Sequence, residues 1–381
     1  MFDFSDTALD HEFPVRRNFL YFNNAAQAPL PRRVVAAIGA HLENARDRGA
    51  VDWRGWYAAI DETREKAGKF LGAASREIAF VPSTSWGVNL VAQAYDWKPG
   101  DSVVGDDMEF PTNHYPWKLL ARRGVEYRIA ANRAGRITAE DILSRVDGST
   151  RVVAVSWVAF HNGWVYPLDE IGRFCRERGI LLVVDAIQGL GALPMDVAKT
   201  PVDVLIADPH KWLLGPEASA ILYVAERARE KLPPPFLGWW NLKTRADFLG
   251  YEGEFVGSAR RYEPGSLPAA QIAGLSASLD LLMEVGMETV RGRILKVVAA
   301  LKRGLEERGW RVTTPEPASS GILAAVPGGQ TAREMAMRLE KRGVIVSARE
   351  KAVRFSPHFF NDEHEVARVL QAIDAEAPAS V

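Results

Sequence analysis

The residue types able to do covalent chemistry gather at the ends of apolar runs. Lys211 stands in Ala207-Asp208-Pro209-His210-Lys211-Trp212-Leu213-Leu214-Gly215-Pro216, a short polar connection beyond the run Val202–Ile206. A lysine amine removed from water loses its proton more readily and becomes a usable nucleophile and base. A solvated loop lysine is the ordinary alternative, but His210 before it and Trp212-Leu213-Leu214 after it are poor company for one. Asp185 closes the neighbouring run Ile180–Val184. Ionised, such a carboxylate holds a pyridine nitrogen protonated and makes the ring an electron sink; its plainer role is to cap a helix. The pair predicts a Schiff base from Lys211 to pyridoxal phosphate, with Asp185 on the ring nitrogen. A third cluster, Ser83-Thr84-Ser85-Trp86-Gly87-Val88-Asn89, follows the run ending at Val81 and opens a helical pattern. Backbone amides and small hydroxyls at a helix start suit a phosphate, although such clusters also cap helices without any ligand.

These residues need a frame that brings strand ends together. Apolar runs rich in Val and Ile recur at Glu77–Val81, Ser102–Val104, Tyr127–Ile129, Val152–Val158, Leu181–Val184, Val202–Ile206 and Ala220–Val224. Helical patterns separate most of them, which predicts an α/β domain whose seven-stranded, mainly parallel sheet is covered on both faces. In such open sheets ligands sit outside the carboxyl ends of the strands. After Lys231-Leu232-Pro233-Pro234-Pro235 comes a stretch dense in Trp, Gly and Arg, then a long helical pattern from Pro268 to about Arg308. Strand-like Gly321–Val326, Val344–Ser347 and Ala352–Ser356, interleaved with a helical Thr331–Lys341, predict a smaller α+β domain. With 381 residues, one large and one small core are expected. Residues 18–260 form the expected large domain, and 1–17 with 261–381 the small one.

Bulk composition narrows the partner. Forty-seven basic residues balance 48 acidic ones, leaving a net charge of −1, so no overall basic field exists to hold nucleic acid or an anionic membrane. No apolar run approaches the roughly 20 residues of a membrane-spanning helix, and Met1-Phe2-Asp3-Phe4-Ser5-Asp6 is acidic where a secretory signal is basic. A cytoplasmic enzyme acting on a small molecule is expected. The single cysteine, Cys175, lies in the amphipathic pattern Glu170–Arg178, which excludes an intrachain disulfide and a cysteine-based metal cage. It reads as a small core residue rather than a nucleophile, and no metal site is expected.

With these residues assembled, the chain resembles the class V aminotransferases among the fold type I pyridoxal phosphate enzymes, a group that includes cysteine desulfurases, isopenicillin N epimerase-like proteins and kynureninases. The resemblance runs from Tyr21-Phe22-Asn23-Asn24-Ala25-Ala26 to Val353-Arg354-Phe355-Ser356-Pro357-His358. Its most specific parts are Val184-Asp185-Ala186-Ile187-Gln188-Gly189 and His210-Lys211-Trp212-Leu213-Leu214-Gly215-Pro216. It implies Lys211 as the Schiff-base lysine, Asp185 on the pyridine nitrogen and Gln188 near the phenolic oxygen. It further implies Thr84 and Ser85 on the phosphate with His210 beside it, and Phe110 stacked on the ring. Arg354, together with Asn24, would meet the substrate, the arginine pairing with an α-carboxylate as a guanidinium does well. For Arg354 a surface ion pair, and for Phe110 a core position, are the alternatives. Ser266, in Glu263-Pro264-Gly265-Ser266-Leu267-Pro268, resembles the segment that reaches the neighbouring subunit's phosphate, which implies a homodimer with a shared site.

The pattern also departs from the family. Counting back from Gly163, the place of an asparagine over the phenolic oxygen falls on Phe160, with His161 or Asn162 as substitutes. A desulfurase uses a thiol on a mobile part of its small domain, and this chain has none there. Phe110-Pro111-Thr112 and Gly238-Trp239-Trp240 echo kynureninase, yet His210 stands where that enzyme has tyrosine. Aminotransferase-type chemistry on an α-amino acid leads, with a lyase (C–S lyase or kynureninase-like) or an epimerase as alternatives. A more distant one is a nicotinamide-dependent oxidoreductase using Gly189-Leu190-Gly191-Ala192-Leu193-Pro194, where Pro194 fits poorly inside the helix that motif opens. A binding protein that kept the fold is a further alternative, one that would not need the lysine. The aromatic stock Trp53, Trp56, Tyr115, Trp117, Trp239 and Trp240 hints at an apolar or aromatic substrate side chain, against the commoner role of filling cores and interfaces.

Overall fold

The computed structural model describes residues 2–243, 249 and 253–376. Thirteen strands occur among them. The large sheet takes β2 Ile78–Val81, β3 Ser102–Asp106, β4 Glu126–Ala130, β5 Thr150–Ser156, β6 Leu181–Asp185, β7 Val204–Ala207 and β8 Ala220–Val224. The smaller elements are β1 Leu20–Tyr21, β9 Arg311–Val312, β10 Leu323–Val326, β11 Val344–Ile345, β12 Ser347–Arg349 and β13 Ala352–Phe355.

The large sheet has seven strands in the order β2-β8-β7-β6-β5-β3-β4, with only β8 running against the rest. Runs such as Val152-Val153-Ala154-Val155 are wholly buried, as strands covered by helices on both faces must be. The reversal at β8 matters for chemistry. β8 begins with Ala220 opposite Val81 and Ile221 opposite Ala207, so β2 and β7 both end at the same edge. The helix Thr84–Ala94 after β2 and the connection carrying Lys211 after β7 are thereby brought together. Ser156, the last residue of β5, pairs in register with Asp185, the last of β6.

The second sheet is antiparallel in the order β12-β13-β10-β9. On β13 the side chains alternate: Val353 and Phe355 are fully buried apolar residues, and Arg354 between them points to the opposite face. The expected strand Val344–Ser347 divides instead into two. Val344–Ile345 pairs in parallel with Leu20–Tyr21, whereas Ser347 starts the pairing with β13. Asn23 then bridges to Ser356, so the N-terminal segment is stitched to this part of the chain. The long helical pattern from Pro268 is likewise two helices, Ala269–Val285 and Met287–Glu307. Gly286 separates them at φ 81, a left-handed conformation that glycine adopts without strain. The segment Gly189–Pro194 forms turns and an isolated bridge between Leu190 and Leu193 rather than the start of a helix, which removes the structural basis for a dinucleotide-binding motif there. Among the described residues, no helix is long and apolar enough to cross a membrane.

Candidate active site

A cavity of about 350 Å³ opens at the strand ends, walled by Thr84, Ser85, Phe110, Asp185, Gln188, His210, Lys211 and Arg354 among others. Lys211 is partly exposed to this space. Burial is nevertheless enough to push its amine down to about 8, assisted by Arg354 and Arg349 and opposed by Asp185. Its backbone is held by a tight turn. Leu214 N donates to Lys211 O at 3.1 Å and Gly215 N to Pro209 O at 2.9 Å, with Leu214 at φ 59. A Cβ at Gly215 would lie 2.7 Å from Pro209 Cβ. The next side chain, Trp212, is fully buried, and its Nε1 donates to Gln188 Oε1 at 2.9 Å. His358 Nε2 lies 2.9 Å from the Trp212 carbonyl, while its Nδ1 accepts from Phe359 N at 2.8 Å. Burial pushes His358 down to about 4, so a neutral ring donating through Nε2 fits both bonds.

Asp185 is buried. Its Oδ1 accepts from Ile187 N at 3.0 Å. Burial raises the carboxyl to about 6, with that bond and Lys211 opposing. The helix Thr84–Ala94 presents its first turn to the cavity, capped by Ser83, whose hydroxyl accepts from Trp86 N. Thr84 Oγ1 accepts from Asp208 N at 3.0 Å, tying the helix start to the connection before Lys211. The Ser85 and Thr112 hydroxyls lie 2.8 Å apart. His210 Nδ1 is 3.3 Å from Asp208 Oδ2, outside hydrogen-bonding alignment. Phe110 is 45% exposed, which excludes the core reading. Its ring centre lies 5.9 Å from Lys211 Nζ, so it walls the cavity.

The facing wall comes from the small sheet. Arg354 is only 1% exposed, which excludes a surface ion pair. Burial, with Arg349 nearby, pulls its guanidinium down to about 9. Nη1 donates to the Phe160 carbonyl at 2.6 Å, whereas Nε and Nη2 are buried with no protein partner. Leaving charged donors unmet is costly, so this geometry fits a planar anion that arrives from outside.

Several expected residues stand elsewhere or are already engaged. Asn24 is fully buried and outside the cavity wall, because its amide donates to Ser356 O at 2.8 Å in the stitching of the N-terminal segment. Gln188 lines the cavity, yet its oxygen accepts from Trp212 and its nitrogen donates to Ala25 O at 3.0 Å, leaving one amide hydrogen. Phe160 reaches the cavity with a ring packed edge-on to Phe110 at 5.2 Å. Neither proposed substitute lines the cavity: Asn162 is bound to Gly135 O and Trp164 N, and His161 borders a different cleft. Ser266 borders a separate hollow with Phe80, Trp86 and Tyr262. The aromatic hint fails within this chain, since none of the six residues lines the cavity. Trp117 is fully buried, Trp53 and Tyr115 are exposed, and Trp56 bonds Asn44 beside another hollow.

Four contributors escaped the sequence reading. Thr112, Asp208 and Arg349 line the cavity. Glu109, behind Phe110, takes the Ser156 amide and, at 2.6 Å, the Ser156 hydroxyl. Burial and Asp106 push its carboxyl up, and Asp106 itself is raised to about 6, mainly by burial. Glu109 beside Phe110, and Asp208 two positions before His210, is a usable signal. Among the described residues, no group of three or more His, Cys, Asp or Glu could hold a metal ion.

The model for "Aminotransferase class-V" matches residues 20–369. An uncharacterized aminotransferase of Bacillus subtilis, YcbU, is 27% identical over 96% of both chains. A probable cysteine desulfurase of Methanothermobacter thermautotrophicus is 32% identical over 76% of this chain and 73% of its own length. Among solved structures, the cystine C–S lyase C-DES, in complex with its product cysteine persulfide, is 25% identical with a TM-score of 0.89, covering 96% of this chain and all (100%) of the other. A lysine-to-alanine mutant of C-DES carries glycine covalently linked to its pyridoxal phosphate cofactor, at 25% identity and TM-score 0.88 over 95% of this chain and 98% of the other. The match spans both sheets and every wall of the cavity, and by it the chain belongs to the class V aminotransferase family.

Proposed function

We propose that the protein is a pyridoxal 5′-phosphate enzyme that acts on the amine of an α-amino acid, with transamination as its reaction. The observation that carries this reading is one cavity holding a lysine amine lowered to about 8, a buried carboxylate and a buried arginine with two unmet donors. When bound, the cofactor supplies an electron sink for charge developing at Cα. The helix start at Thr84 and Ser85 would hold its phosphate through backbone amides and hydroxyls. Phe110 would cover the ring face, and Asp185 would keep the pyridine nitrogen protonated. Arg354 fixes the substrate by its α-carboxylate, which sets the Cα–H direction toward the Lys211 amine. Lys211 would then take the Cα proton, as a base near its own pKa does well. We place Ser266 at the neighbouring subunit's phosphate, in a homodimer.

A C–S lyase reaction is the second reading, favoured by the likeness to C-DES. The only cysteine, Cys175, is fully buried in the helix Leu168–Glu177, and burial pushes its thiol up to about 12. Sulfur relay through an enzyme thiol therefore has no acceptor in this chain, whereas release of sulfur on the product needs none. The test is a panel of amino acids given to the cofactor-loaded protein with and without a 2-oxo acid. Consumption that requires the 2-oxo acid supports transamination. Ammonia and pyruvate from cystine without an acceptor support the lyase. Inertness toward every amino acid contradicts both.

A further inference from the structure

The face of the small sheet that carries Arg354 holds a second cation. Register pairs Ser347 with Arg354 and Arg349 with Ala352, so Ser347, Arg349 and Arg354 project to one side, with Arg349 diagonal to Arg354. Arg349 and Phe160 are walls of the Lys211 cavity and also of an adjoining cleft of about 1050 Å³. The acidic groups bordering that cleft are largely engaged. Glu316 pairs with Lys302 at 2.9 Å, Asp107 accepts from Asn132 N and Nδ2 at 2.9 and 3.0 Å, and Glu109 is bound to Ser156. Glu350 turns the hairpin at φ 51 beside Lys351. Arg349 itself makes a single hydrogen bond, to its own neighbour's carbonyl, Ala348 O, at 3.0 Å, and no ion pair among the described residues. The Ser347 hydroxyl between the two arginines is buried without a protein partner.

We propose that Arg349 and Ser347 form a second anion subsite, which selects α-amino acids whose side chain ends in a carboxylate or a comparable acid. This rests on the reading of Arg354 as the α-carboxylate partner. Diagonal positions on paired strands lie about 7–8 Å apart at their Cα atoms, close enough for both guanidiniums to reach one substrate that carries a second acid on a short chain. Such a molecule meets both guanidiniums, and a neutral side chain leaves Arg349 unmet.

The test compares kcat/KM for 2-aminoadipate and norleucine in the loaded wild type and in Arg349→Gln. The wild type should prefer the acid by about 10- to 100-fold, the range of a charge-assisted hydrogen bond. Arg349→Gln should bring the ratio near one, and Arg349→Lys should restore part of it. Calorimetric titration with adipate and hexanoate, which carry no amine and undergo no chemistry, should show the same preference and the same loss. A ratio near one in the wild type, or one that Arg349→Gln leaves intact, overturns the subsite. Inertness of the wild type toward both amino acids counts against the underlying reading instead, while the carboxylate titration still decides the subsite.

Discussion

The two walls of the cavity differ in how far their hydrogen bonds are met within the protein. On the large-sheet side, Asp185 holds Ile187 N, Thr84 holds Asp208 N, and Gln188 spans Trp212 and Ala25, while Asp208 Oδ1 and His210 Nδ1 are buried without a partner. On the small-sheet side, Arg354 keeps two buried donors unmet and Ser347 a buried hydroxyl. A wall with its bonds made is rigid before any ligand arrives, and suits a group that stays bound. A wall with bonds unmade gains most from a ligand that comes and goes, because the cost of desolvating its donors is already present in the empty state. We infer from the difference that the first wall serves the resident cofactor and the second the substrate.

The largest effect expected from this division is at Lys211, where both functions meet. Lys211→Ala should lose the visible cofactor band and lower turnover by at least about 10²–10⁴, the worth of a placed general base, with circular dichroism unchanged; turnover close to wild type would dissolve the assignment. Next in size are two substitutions of opposite sign. Thr84→Ala strands the buried Asp208 N–H and should destabilise the ligand-free protein by about 1–3 kcal/mol. Arg354→Met removes an uncompensated buried cation and should leave the ligand-free protein as stable or more stable. It should also raise KM for any amino acid about 10- to 100-fold. Thermal melts check the signs, and equal losses in both variants would break the comparison between the walls. The smallest effect is on pH. An amine lowered to about 8 is protonated below that value, so capture of added cofactor should slow about tenfold per unit below pH 8 and level off above it. A profile still climbing at pH 10 would mean that Lys211 keeps its ordinary pKa.

How much of this was legible in the sequence follows from what periodicity can encode. Val- and Ile-rich runs located all seven large-sheet strands to within two residues at each end, and the strand-end positions of Asp185 and Lys211 followed from them. What periodicity does not encode is which strand pairs with which. Arg349 went unseen because its face is fixed by the register of β12 on β13, and the run containing Ser347 read as one strand although it has two different partners. The two-residue strands β1 and β9 carry no repeat at all. The place of Asn24 is hidden for a related reason: Ala25 and Ala26 line the cavity, but its own amide is held by Ser356, 332 positions further along. The aromatic residues failed because ring size signals burial or contact in general, and Trp117 is simply core.

The central claim is that Lys211, and no other lysine, carries the cofactor. Reduction of the pyridoxal phosphate-loaded protein with borohydride, followed by peptide mass spectrometry, tests it directly. One equivalent of reduced cofactor on the peptide containing Lys211, with bleaching of the visible band, is the predicted result. A label on another lysine, or none above the level of a denatured control, would contradict it.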